Sequence, residues 1–179
     1  MGNKFKISDR DTILEISYED MIKYHGRFNI AGVALAFKVL ELAFSKLAGK
    51  EIPAREKISF FSGIGNAGMG VIDGVEMVTR ARTRGRLIAD DAAAKGKPAP
   101  DAPEGGKYYF EVGYGNKKIG LALKEGMIPE EFMILSRKAY AGELNEGEAI
   151  RLQVVKEQIA TAFMSNEAVD LFDCVFIDQ

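Results

Sequence analysis

Residues 24–38 read Tyr24-His25-Gly26-Arg27-Phe28-Asn29-Ile30-Ala31-Gly32-Val33-Ala34-Leu35-Ala36-Phe37-Lys38, a short polar turn running straight into an apolar helix. From Gly32 to Leu47 the only polar side chains are Lys38, Glu41, Ser45 and Lys46. A polar stripe that narrow, with turn-length spacing, marks a helix buried on nearly every side. Gly49 and Pro53 end it. Such a helix needs other elements wrapped around it, so the chain must fold over this segment from both directions.

Upstream, residues 17–24 read as a short helix, with Ser17 as cap and Glu19 and Asp20 in its first turn. Downstream, residues 57–62 read as a strand, followed by a glycine-rich loop over 63–70 and a helix over 71–80 that sets Val71, Val75 and Val78 on one face. Residues 84–89 read as a further strand. The stretch 95–106 holds Pro98, Pro100, Pro103 and Gly105 and reads as a flexible loop or lid, too short to separate two domains. Residues 107–112 and 117–124 alternate around Gly113-Tyr114-Gly115-Asn116 and predict a hairpin. Residues 129–140 and 146–164 predict two helices, the second with Ile150, Val154, Val155, Ile159, Ala162 and Phe163 on one face. A helical turn over 166–171 and an edge strand over 174–177 close the chain. No repeat is present. Helices and strands mix without regular alternation. This predicts a single α+β domain over residues 1–179, with helices packed on a mixed β-sheet: helix, strand, helix, strand hairpin and additional C-terminal helices.

Composition narrows the function. The 179 residues are 47% apolar and 28% charged, with a net charge of −2. That balance argues against nucleic acid as a partner, because phosphate binding needs a basic surface. One cysteine excludes an internal disulfide framework and a cysteine-based zinc ribbon. No run of about 18 apolar residues predicts a membrane span. The start, Met1-Gly2-Asn3-Lys4-Phe5-Lys6, lacks the apolar run of a signal peptide and the Ser or Thr of an acylation motif, so the expected address is cytoplasmic.

Three constellations could carry chemistry. His25, the only histidine, could be a metal ligand, a general base or a capping hydrogen-bonder. A catalytic metal site usually draws on three protein ligands, so a lone histidine favours a structural role. Gly63-Ile64-Gly65-Asn66-Ala67-Gly68 follows a strand and precedes a helix, the context of a dinucleotide fingerprint, with Asp90 and Asp91 about 20 residues on. The fourth glycine, Gly70, favours plain turn chemistry instead. Arg80, Arg82, Arg84 and Arg86 alternate, so an extended backbone would point all four to one side. With Arg27 they would suit an anion. The competing reading is a solvated edge strand, or a surface that meets acids of a second copy of the chain. Cys174 has apolar neighbours and reads as a buried, inert thiol.

The His25-Gly26 turn and the helix after it resemble the signature of the FmdE family, named for one of the subunits of formylmethanofuran dehydrogenase: His-Gly-His-x-Cys-Pro-Gly and an alanine- and leucine-rich helix. The second histidine is Arg27 here. The cysteine position is Asn29 when aligned from His25, or Ile30 when aligned back from Ala31-Gly32. The stretch Asp73-Gly74-Val75-Glu76-Met77-Val78-Thr79 is similar to the family's Asp-(Ala/Gly)-Ile-Gln-x-x-Thr-Gly. Gly70 stands in place of that motif's cysteine, and Arg80 in place of its last glycine. The hairpin from Gly106-Lys107 and the closing Leu171-Phe172 segment complete the order over residues 17–178, without the Cys-rich zinc-binding tail of many relatives.

The resemblance implies an α+β core, a homodimer, and a cleft whose metal site is weakened or lost. His25 would be the sole remaining ligand if a metal were bound. Formylmethanofuran dehydrogenase itself is a molybdenum or tungsten enzyme that fixes carbon dioxide as formylmethanofuran. No cofactor is assigned, and whether a reaction is catalysed is left open. The first reading is a stand-alone relative binding a small anionic ligand between His25, Arg27, Asn29, Asp73, Thr79, Arg80 and Arg82. His25 would supply any acid/base step. The second is an accessory component of a redox or one-carbon complex with a vestigial site. The third is a nucleotide-binding protein using the 63–70 loop.

Overall fold

The computed structural model describes residues 4–178; Met1, Gly2 and Asn3, where the N-terminal reading begins, lie outside them. The fold is α+β with a mixed sheet. A five-stranded sheet runs in the order β4 (Leu87–Ala89), β3 (Ile58–Ser62), β5 (Tyr109–Tyr114), β6 (Lys117–Leu123) and β7 (Phe172–Phe176). Within it only the β3–β4 pair is parallel; the others are antiparallel. Residues 115–116 close the β5–β6 hairpin as a two-residue turn, with Gly115 at φ +60°.

Around the sheet lie α1 (Tyr18–His25), α2 (Ile30–Leu47), α3 (Met69–Thr79), α4 (Glu130–Tyr140), α5 (Glu146–Ser165) and the single turn α6 (Ala168–Leu171). Helix α2 is the axis of the core, with 14 of its 18 residues buried. It packs on α1, α3, α5, α6 and the central strands β5 and β6. Its crossing with α3 is built from small residues. A methyl placed on Gly70 would meet the Asn29 carbonyl at 2.5 Å and the Gly32 Cα at 3.1 Å; one on Gly74 would meet the Ala36 methyl at 2.8 Å. The Gly-rich register therefore lets two backbones touch.

Helix α1 starts where the sequence places it. The Ser17 side chain accepts from the Asp20 N–H at 3.1 Å, and the Asp20 carboxylate accepts from the Ser17 N–H at 2.9 Å. This reciprocal capping box satisfies two otherwise orphaned donors. Ser17→Ala is expected to destabilise the fold by about 1 kcal/mol and to lower Tm by roughly 2–4 °C for a chain of this size. An unchanged Tm in thermal unfolding would refute that role.

Several expectations need correction. The N-terminal hairpin β1 (Lys4–Asp9) and β2 (Thr12–Ser17) is absent from the sequence reading. Phe5 and Ile7 point into the core and Lys4 and Lys6 point out, with Phe5 at 4.5 Å from the Phe37 ring and 5.5 Å from Phe44. The 80–86 stretch is not extended: residues 81–85 form turns, and the strand is only Leu87–Ala89. The buried Glu76 carboxylate dictates this, accepting from the Arg82 N–H at 2.7 Å, the Thr83 N–H at 3.2 Å and the Thr83 hydroxyl.

The inward face of α5 is also rotated from the expected one. Ile150 and Val154 are exposed, and Leu152, Val155, Lys156, Ile159, Ala160 and Phe163 are buried. The 95–106 stretch is packed: Ala99 and Ala102 are buried, and the Tyr108 N–H donates to the Pro100 carbonyl at 2.9 Å. Finally, Lys38, part of the polar stripe of α2 in the sequence, is buried and forms an ion pair with Glu41 at 2.9 Å.

Candidate functional site

The polar turn between α1 and α2 is the organising feature. Gly26 adopts φ +89°, a conformation other residues take only with strain, and this lets α1 stop at His25. Helix α2 starts at Ile30, after the four residues 26–29. The turn is held on one side by α5. Arg27 Nη2 donates to Glu157 Oε2 at 2.7 Å, and Gln153 Nε2 donates to the Arg27 carbonyl at 3.0 Å. Lys156 Nζ donates to Asn29 Oδ1 at 3.1 Å and lies 3.9 Å from the centre of the Phe28 ring. Phe28 is otherwise exposed, so its ring lids the ammonium.

On the other side, the turn meets α3. His25 Nδ1 lies 2.7 Å from Asp73 Oδ2, and Arg82 Nη1 lies 3.8 Å from Asp73 Oδ1. A carboxylate at Nδ1 favours the tautomer protonated there and leaves the lone pair on Nε2. The His25 side chain is 9% exposed and Asp73 22%. A paired, partly buried imidazole of this kind can orient a proton transfer or simply pin α1 to α3.

The remaining residues of the expected site are placed elsewhere. Thr79 is fully buried, donates to the Val75 carbonyl at 2.7 Å and accepts from the Ala81 N–H at 3.1 Å, so it closes α3. Arg80 pairs with Glu76 at 3.5 Å. Arg84 binds both oxygens of Asp9 at 2.8–2.9 Å, and Arg86 donates to the carbonyls of Ile58 and Arg55 at 2.8 Å. Hydrogen bonds from Arg84, and then from Arg55, hold the Asp9 carboxyl below the usual carboxylate range. Arg84 and Arg86 thus serve as internal clamps, and Arg80 is a half-exposed partner of Glu76. Of the expected set, the structure brings together His25, Asp73 and Arg82 on one side of the turn, and Arg27 and Asn29 on the other.

On the Asn29 side lies a cavity of about 80 Å³. Its walls are the first turns of α2 and α3, the Pro103 segment, and side chains of α4 and α5, with Phe132 among them; the polar side chains on it are Asn29, Lys156, Tyr108 and Tyr140, and the rest of the lining is apolar. Lys156 is 7% exposed and makes no ion pair among the described residues; burial alone pushes its ammonium below the ordinary lysine value. Sequence reasoning missed this residue. The signal was present: Leu152, Val155, Lys156, Ile159 and Phe163 follow inward helical spacing, with a lysine in a core position.

The glycine-rich loop has the strand–loop–helix–parallel strand context that a nucleotide fingerprint needs, since β3, α3 and β4 form one such unit. Its concave face is filled by the chain itself. A methyl on Gly63 would meet Ala94 at 2.8 Å, and one on Gly65 would meet the Asp91 side chain at 3.1 Å. The Gly63 N–H and carbonyl are both bonded, to Tyr109 and Lys107. A carboxylate at Gly65 also opposes phosphate. The glycines are explained by close packing.

Among the described residues no group of three His, Cys, Asp or Glu side chains gathers to hold a metal, and no helix is long and apolar enough to cross a membrane. No known protein family matches the chain, and no curated protein does so either.

Proposed function

We propose that the chain is a small-ligand-binding protein, a stand-alone relative of the FmdE family, that takes a small anion with an apolar body in the cavity beside the 25–29 turn. The observation that carries this reading is Lys156, a buried ammonium whose only polar partner among the described residues is a neutral amide. A buried charge without a counter-charge is costly unless something completes it. An anion in the cavity is the simplest completion, and the first turns of α2 and α3 on the same wall add partial positive charge. The order of the motifs supports the family assignment, and a homodimer follows from it as part of the same proposal. Lys156 takes the place of the arginine stripe as the anion's partner, because Arg84 and Arg86 are engaged within the fold, Arg80 pairs with Glu76, and Arg82 lies beside Asp73.

Calorimetry and thermal unfolding with acetate, butyrate and hexanoate test it. Butyrate is expected to bind saturably at one site, and at a hundredfold excess over Kd to stabilise the fold by about 2.7 kcal/mol. That corresponds to a Tm rise of roughly 5–10 °C, with no such rise in chloride at equal ionic strength. If none of the three carboxylates differs from chloride, the anion reading fails, and weight moves to an accessory component with a vestigial cleft.

A further inference from the structure

We infer that Lys156 is a covalent site: its ε-amine condenses with the carbonyl carbon of a short oxo acid held in the cavity. This rests on the anion reading above and adds a nucleophile to it. Three observations lead there. Lys156 lines a largely apolar cavity and is buried, and its Nζ bonds Asn29 of the same lining. Its hydrogen-bond partner, Asn29 Oδ1, is neutral, so loss of one proton breaks no ion pair, and an NH2 group can still donate to that oxygen. Burial also lowers the ammonium's pKa, which raises the fraction of free amine near neutrality.

Lys38 makes the contrast. It is about as buried, but its ammonium forms an ion pair with Glu41 at 2.9 Å. Of these two buried lysines it is Lys156 that has no ion-pair partner among the described residues and that lines the cavity beside the turn.

The step balances without a further reagent. The Nζ lone pair attacks the carbonyl carbon, a C–N bond forms as the C=O π bond breaks, and one of the two amine protons passes from nitrogen to that oxygen to give a carbinolamine. The C–O bond then breaks, and the hydroxyl leaves with the second amine proton as water, so that the nitrogen lone pair closes a C=N bond. A protonated imine is again a cation, and the ligand's own carboxylate, placed at the first turns of α2 and α3, would answer it. Size limits the ligand: a cavity of about 80 Å³ holds a few carbon atoms.

The test is trapping. Full-length protein is incubated with pyruvate and sodium cyanoborohydride at pH 7, which reduces any imine to a stable secondary amine, and the adducts are mapped by mass spectrometry. The expected result is one adduct per chain, at Lys156, formed at least tenfold faster than at any exposed lysine, and none at Lys38. Lys156→Arg, which keeps the charge but forms no imine, should give no fast adduct. Slow labelling spread evenly over surface lysines would overturn the proposal. Absence of an adduct at Lys156 in protein that still binds butyrate would overturn covalency alone. Absence of both adduct and butyrate binding would overturn it together with the anion reading.

Discussion

Gly70→Val is expected to be the most damaging single change in the helical layer. The new Cβ would lie 2.5 Å from the Asn29 carbonyl oxygen and 3.1 Å from the Gly32 Cα. Both are backbone atoms, so no side-chain rotamer can relieve the contact. Either α2 and α3 separate or the 25–29 turn moves. Overpacking of this kind costs typically about 1–3 kcal/mol and occasionally more; the backbone contact puts Gly70→Val near the upper end. A loss of about 3 kcal/mol lowers Tm by roughly 6–12 °C in a chain of this size.

Gly70→Ala separates the mechanisms. Helix propensity alone would favour alanine by about 1 kcal/mol, so a fall in stability isolates the steric term. Gly147→Ala is the control: it lies exposed in the first turn of α5, and its new methyl would meet only Asn145 Oδ1, at 3.4 Å. It should be neutral or slightly stabilising. A Gly70→Val protein with wild-type Tm would show that the crossing is looser than its geometry implies. The same substitution should weaken butyrate binding, because Asn29 supplies both the clashing carbonyl and the amide that meets Lys156.

What is legible in the sequence follows the strength of local signals. Helix α2 and the β5–β6 hairpin are readable because their local signals are strong: near-complete apolarity in α2, and Phe110, Val112, Ile119, Leu121 and Leu123 at every second position on either side of a glycine-containing turn. Helix α1 is readable from the Ser17 cap. The β1–β2 hairpin escapes notice although Lys4-Phe5-Lys6-Ile7 alternates, because its turn, Arg10 and Asp11, contains no glycine and places Arg10 at φ +55°. Arginine spacing misleads for a tertiary reason: Glu76, in the last turn of the helix before the segment, coils it up by accepting two backbone N–H groups. The His25–Asp73 pair joins two candidates 48 residues apart, and nothing local to either one indicates that they touch. Lys156 is hidden by the habit of reading lysine as solvent-facing, which also rotates the expected face of α5.

Lys156→Met should change stability and binding in opposite directions, and that pairing distinguishes a functional lysine from a structural one. Methionine fills similar space with no charge, so the unliganded fold loses a buried ammonium and keeps its packing. The forfeited hydrogen bond to Asn29 is charge-assisted and contributes about 1.5–3 kcal/mol. That is less than holding an ammonium in the fold without a counter-charge costs, and Asn29 is partly exposed and can turn to water. A net gain of about 1 kcal/mol, or roughly 2–4 °C in Tm, is expected at neutral pH. Butyrate binding should fall by about 10- to 100-fold, the loss expected when a hydrogen bond to a charged group disappears.

The pH dependence fixes the cause. The folded state lowers the Lys156 pKa from the ordinary value of 10.5. Between the lowered value and 10.5 the unfolded chain binds more protons, so wild-type stability gains relative to Lys156→Met as pH rises through that window. The methionine variant's advantage should therefore be largest at neutral or lower pH and shrink toward pH 10.5. An advantage independent of pH would trace to packing and not to charge. A variant less stable than wild type at neutral pH would mean that the ammonium is satisfied within the fold itself. The cavity would then have no need of an anion.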